Sequence, residues 1–272
     1  MKTKIIVLSA IATALLAPSV FAKANIEVVV ADQIKWGKLN PARGEASPKA
    51  FDLWGERTKN VATGMLVGFK KGFSSPPHIH NITYRGIVIE GLMHNDDPNA
   101  AKMWLPPLSY WTQPVGEDHI TAANGDNNLI FLEIDTGPYL VQPSTKAYDN
   151  GERPLNVDQK NIIWHSAKDI EWLDSDSGIE MAALWGKPAA NENYGTMLKL
   201  PAGFNGELQT KASEFKIVII KGYVDYKNNG KTSHLNAGSY VGSDGQINHK
   251  ISTKQEAVIY VKTNSRFEVT AN

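Results

Sequence analysis

The sequence predicts an all-β protein built as two tandem jelly-roll barrels, and three observations carry the prediction. Apolar residues come in short runs rich in Val, Ile and Tyr, with no long stretch at helical period. Gly, Pro, Asn and Asp bound those runs, as turns between strands require. One half of the chain also echoes the other, since Leu53-Trp54-Gly55 returns as Leu184-Trp185-Gly186, 131 residues on.

The chain opens on an export-signal pattern: Lys2 and Lys4, an apolar run from Ile5 to Leu16, and the small-residue site Val20-Phe21-Ala22. Cleavage there leaves a mature chain starting near Lys23, and the expected location is the periplasm or the cell exterior. The apolar run is too short to span a bilayer and no later stretch approaches one, so no membrane partner is expected. There is no cysteine. The core alone must hold the fold, and any metal ligand must be His, Asp, Glu or Tyr. Formal net charge is zero and no basic cluster occurs, which argues against nucleic acid and leaves a small molecule as the expected partner.

The echo extends along both halves. Gly64 matches Gly195, Gly72-Phe73 matches Gly203-Phe204, and Ile87-Val88-Ile89 before Gly91 matches Val218-Ile219-Ile220 before Gly222. One position later, Ser109-Tyr110 matches Ser239-Tyr240 and His119 matches His249. Ala31 to Trp36 reads as an upstream echo of Ala167 to Trp172. The predicted units are therefore a signal at 1–22, a first barrel at 23–150 and a second at 151–272. Strands are expected at 65–69, 85–92, 109–112 and 129–135, with counterparts at 196–200, 216–225, 239–241 and 257–263. Residues shared by both copies read as scaffold, and those found in one copy become candidates for chemistry.

The sharpest such candidate is Gly72-Phe73-Ser74-Ser75-Pro76-Pro77-His78-Ile79-His80. On a strand, His78 and His80 share a face. Further on, Pro114-Val115-Gly116 makes a turn just before His119, bringing a third imidazole to the first two. Three neutral imidazoles on one face suit a divalent cation, zinc or iron first, with manganese or nickel as alternatives, and leave coordination positions open.

These residues resemble the cupin superfamily. Gly72, His78, His80, Tyr84 and Gly91 occupy the places of the first cupin motif, and Pro114, Gly116 and His119 those of the second. The run before His119 is also similar to the cupin domain of zinc-binding anti-sigma factors and to small exported two-cupin proteins without an assigned function. The resemblance implies double-stranded β-helix barrels and a metal held by His78, His80 and His119. Metal cupins commonly place a glutamate where this chain has Tyr84, so the fourth ligand is open among Tyr84, Glu90, Glu117 and water. Tyr84, Glu90 and Glu117 are also the candidate acid–base groups.

In the second copy Gln209 aligns with His78, Lys211 with His80 and Phe215 with Tyr84, which leaves His249 alone and makes that barrel structural. Among the remaining residues, Arg85 is expected on the opposite face from Tyr84, paired with an acid. Trp54 and Trp185 read as packing, and Trp104 and Trp111 as pocket lining. His94, His165 and His234 read as surface residues, and Asn95-Asp96-Asp97 as a turn. Two functions of different classes follow. One is a metal-dependent enzyme of small-molecule metabolism, with dioxygenase, hydrolase and isomerase chemistry open. The other is a non-catalytic module that binds or senses a metal or small ligand. A homodimer is expected for either.

Overall fold

The computed structural model describes residues 25–272, so the export signal read at 1–22 lies outside them. Among the described residues no helix is long and apolar enough to cross a membrane, and helical structure is confined to short 3-10 turns.

Two seven-stranded antiparallel sheets carry the all-β fold. The first runs, in spatial order, Leu155–Val157, Tyr110–Gln113, Tyr84–Glu90, Asn128–Ile134, Thr63–Phe69, Lys49–Trp54 and Gly37–Lys38. The second runs Ile26–Val29, Tyr240–Ser243, Phe215–Lys221, Ala257–Thr263, Tyr194–Leu200, Glu180–Trp185 and His165–Ser166. The two orders correspond strand for strand, with an exchange at one edge. Ile26–Val29 pairs with Tyr240–Ser243 of the second sheet, while Leu155–Val157 pairs with Tyr110–Gln113 of the first. Each sheet is thus completed by a strand from the other half of the chain.

A second layer closes each barrel. In the C-terminal half it is one five-stranded sheet. In the N-terminal half it is two ladders, Val141–Pro143 with His78–His80 and Met93–Asp96 with Ile120–Ala123, joined by single bridges at Ser74–Ala122 and His78–His119.

Side-chain alternation gives the strand Asn128–Ile134 two duties. Ile130 and Leu132 pack inside the N-terminal barrel with Val67, Val88 and Trp111, whereas Phe131 packs into a core shared by both sheets. There it meets Trp54 at 5.6 Å and Tyr260 at 5.2 Å between ring centres. Leu53, Ile87 and Tyr110 face Met197, Val218 and Val258 across the same core. Beside it lies a charged cluster. Arg85 bonds Asp135 at 2.7 Å and lies 3.8 Å above the ring of Trp185, and Tyr260 donates its hydroxyl to Glu133 at 2.7 Å. Arg85 thus pairs with acids as its register predicts. Trp54 is packed in the core, and Trp185 packs at its margin, donating its indole N–H to Tyr260.

Two sequence expectations need correction here. The strand expected at 216–225 is two strands, Phe215–Lys221 and Tyr223–Asn228, because Gly222 has φ 80° and turns the chain between them. The upstream echo pairs the wrong segments. The turn Ala31–Gln33 follows an exchanged strand, so its counterpart is Gln159–Asn161 after Leu155–Val157, and Trp36 corresponds to Trp164.

Candidate metal centre

His78 and His119 sit directly opposite each other, each backbone N–H donating to the other's carbonyl at 3.0 Å. Pro76 and Pro77 deliver the chain to this short strand, and Gly116, with φ 79°, makes the turn that returns it at His119. Alternation puts His80 on the same face. The ring centres of His78, His80 and His119 are 4.3–5.3 Å apart, and one nitrogen from each lies within 4.8 Å of the others. All three rings are buried.

Their tautomers follow from their partners. Nδ1 of His78, His80 and His119 faces the backbone carbonyls of Pro76, Leu140 and Glu117 at 2.9, 3.0 and 3.1 Å. A carbonyl only accepts, so each Nδ1 carries the proton and each Nε2 presents its lone pair. Burial, reinforced by the neighbouring rings, pushes His80 well down and His119 to about 3, and burial also lowers His78. The imidazoles therefore stay neutral and able to ligate in mild acid.

Two phenols overlook the same nitrogens. Tyr139 stacks on His80 and places its hydroxyl 3.1 Å from Nε2 of His80. Tyr84 donates to Oδ1 of Asn95 at 2.9 Å, and its oxygen also lies 3.2 Å from Nε2 of His119. Asn95 is itself held from two sides, since its Nδ2 donates to Gln113 at 2.8 Å and its Oδ1 also accepts from Thr121 at 2.8 Å. Because Thr121 also donates to Asn95, the single phenolic proton can serve Asn95 or turn to Nε2 of His119 without leaving Asn95 bare. The three Nε2 atoms converge as neutral acceptors, a donor set that fits zinc or ferrous iron, and a cation there would leave the Tyr84 proton on Asn95. Burial raises both phenols, which keeps them protonated.

The site opens on a cavity of about 190 Å³ whose walls are mainly apolar, including Val67, Phe69, Phe73, Trp111, Ile130 and Leu132. Of the predicted acid–base groups, Tyr84 lines it. Glu90 and Glu117 do not. The register shifts beside Val88 by one residue, so alternation from Tyr84 fails and Glu90 ends the strand exposed. Glu117 contributes its carbonyl, to His119 and Gln113, rather than its carboxylate.

Other expectations change too. His94 is buried on the strand Met93–Asp96, its ring against Trp104, and is not a surface residue. Trp104 lies with it, outside the cavity, whereas Trp111 is a wall. Asn95 and Asp96 belong to that strand rather than to a turn. His165 and His234 are exposed as expected. Asn95, Gln113, Thr121 and Tyr139 join the site without any sequence motif that marks them.

In the C-terminal barrel the sequence alignment is one residue off. Leu208, not Gln209, sits opposite His249 as His78 sits opposite His119. Leu208 and Thr210 therefore face inward, and Gln209 and Lys211 point the other way, because a one-residue slip exchanges the faces of a strand. His249 stacks on Phe215, and both its nitrogens are engaged, by Tyr226 at 3.0 Å and Ser243 at 2.9 Å. Among the described residues His249 belongs to no group of three or more histidines or carboxylates that could hold a cation.

Burial holds His249 at about 4, whereas an unfolded histidine titrates at ~6.5. Between those values the unfolded chain binds more protons, so stability is full above about pH 6.5 and falls as pH drops toward 4, by about 3 kcal/mol for this group. In urea titrations in chelator at pH 7 and pH 4.5, His249→Asn is expected to lose less stability over the interval than the unaltered chain. Equal losses would contradict this reading.

Residues 27–270 match the family model described as "Domain of unknown function (DUF4437)". No curated protein sequence matches the chain. Solved structures share its fold at low identity. A provisional dioxygenase of Nostoc punctiforme is 14% identical, with TM-score 0.65, over 91% of this chain and 86% of that one. Protein Ylba of E. coli is 14% identical, with TM-score 0.60, over 89% and 92%. Salicylate 1,2-dioxygenase of Pseudaminobacter salicylatoxidans is 12% identical, with TM-score 0.60, over 94% and 90%. A further structure of that enzyme contains gentisate. The chain shares the fold of these structures.

Proposed function

The chain belongs to the DUF4437 family, a domain of unknown function, and from its three-imidazole cup we propose that it is a metal-dependent dioxygenase acting on a small organic molecule. The observation that carries this reading is the convergence of three Nε2 lone pairs, each set by a backbone carbonyl, at the base of an apolar cavity. The cupin dioxygenases among its structural neighbours support it.

His78, His80 and His119 would hold the cation. Ferrous iron in such a cup supplies chemistry with dioxygen, and zinc supplies Lewis acidity. The protein's own part is to orient and to exclude water. Asn95 holds the proton of Tyr84, whose oxygen can accept from a substrate group, while Tyr139 covers His80 and can donate a hydrogen bond to a substrate oxygen. The C-terminal barrel, where among the described residues His249 joins no such group of ligands, reads as a second, metal-free barrel that braces the first. The signal pattern at residues 1–22 supports export as the setting.

The test is reconstitution. Chelated protein loaded anaerobically with Fe(II) is expected to retain about one equivalent per chain and to consume oxygen with a small organic substrate, whereas the Zn(II) form is not. Tight zinc retention without oxygen uptake by the iron form would favour the non-catalytic binding module instead.

A further inference from the structure

We propose that Arg43 anchors a carboxylate, so that the cavity takes small apolar monocarboxylates, aromatic or branched, of roughly ten non-hydrogen atoms or fewer. The inference rests on the reading above only in taking this cavity as the substrate chamber.

Arg43 is placed by a closed loop. Leu39 N–H donates to the carbonyl of Pro48 at 2.8 Å, and Asn40 N–H donates to Oγ of Ser47 at 2.9 Å, so the loop's two ends are tied together. Between them Pro41–Ala46 makes two short 3-10 turns broken at Gly44, the first capped by the Asn40 side chain on Ala42 N–H. Arg43 sits in that turn, lines the cavity, and lies 5.8 Å from the ring centre of Phe73. Phe73 in turn packs on Phe69 at 5.0 Å.

The guanidinium carries its N–H donors in one plane, as a fork for two oxygens. No ion pair among the described residues engages Arg43. Among the described residues lining the cavity it is the one permanent charge, and no Asp or Glu is present there. An apolar chamber with an exposed cation at its mouth and metal ligands further in favours a ligand that is apolar in the body and anionic at one end. Size adds a bound. An apolar protein cavity of roughly 150 Å³ takes up benzene, so about 190 Å³ admits a single ring or a short branched chain with its carboxylate at the Arg43 end.

The experiment measures binding by calorimetry to the full chain in two states, metal-free and Zn(II)-loaded. The probes are benzoate against benzamide and 3-methylbutanoate against 3-methylbutanamide, with phenyl phosphate as a competing anion class. In both states at least one carboxylate is expected to bind at least about tenfold more tightly than its amide. Arg43→Gln should abolish that preference while leaving amide binding and thermal unfolding unchanged, and Arg43→Lys should retain part of it. Equal binding of acid and amide, a preference that survives Arg43→Gln, tighter binding of phenyl phosphate, or no binding by any carboxylate would each overturn the proposal. Failure of the metal reading would appear separately, as an unaltered chain that retains no metal while the metal-free preference for the acid persists.

Discussion

Changing His80 to alanine is expected to abolish metal retention while leaving the protein folded. His80 sits between the other two imidazoles and Tyr139, and its Nε2 is one corner of the cup. The variant keeps two imidazoles, a poor set for a divalent ion. Replacing a residue that merely supports a ligand commonly costs 10- to 100-fold in affinity, and losing a ligand is expected to cost more than roughly 100-fold. Stability should fall by about 0.5–3 kcal/mol, since the apolar core rather than an ion carries the barrel. Dialysis against a chelator followed by metal analysis reads the first effect, and circular dichroism through a thermal ramp reads the second. His249→Ala, matched for side chain lost, should retain metal like the unaltered chain. A His80→Ala protein that still holds a stoichiometric ion would remove the cup from the centre of this account.

The second large effect is on stability. Phe131→Ala is expected to cost about 3–5 kcal/mol, a large share of the roughly 5–15 kcal/mol typical of a folded domain. Phe131 is fully buried in the core that the two sheets share, against Trp54 and Tyr260, so truncation opens a void that both barrels line. Its neighbours Ile130 and Leu132 face the metal cavity instead, so metal binding should survive under folding conditions. Because that core and the exchanged edge strands tie the halves together, denaturation should remain a single transition by both calorimetry and near-ultraviolet dichroism. Two separated transitions, or a loss below about 1 kcal/mol, would show that the barrels stand independently.

The all-β class and the histidine set are legible because their signals are local. Short Val- and Ile-rich runs between turn residues mark strands, and a His-x-His spacing puts two rings on one face whatever the rest of the chain does. The supporting groups are not legible, since chain topology brings them in from elsewhere. Tyr139 meets His80 from 59 residues away, and Asn95 reaches Tyr84 from a strand in the other layer. Nothing in the order Gly137-Pro138-Tyr139 announces that contact. Glu90 is misplaced when alternation is carried through a bulge that sequence does not reveal. Gln209 and Lys211 are misplaced by a similar slip, since a one-residue difference in the length of a connection reverses every side chain that follows.

The crossed-over edge strands have a consequence for how such a chain can change over time. If the gene were divided between the halves, each product would keep a strand shaped for the absent piece and would expose the backbone margin that strand normally covers, a surface prone to sticking edge to edge. Neither half can be removed without baring the other's edge. The barrel filled by Leu208, Phe215 and His249 is in this sense the other barrel's missing wall.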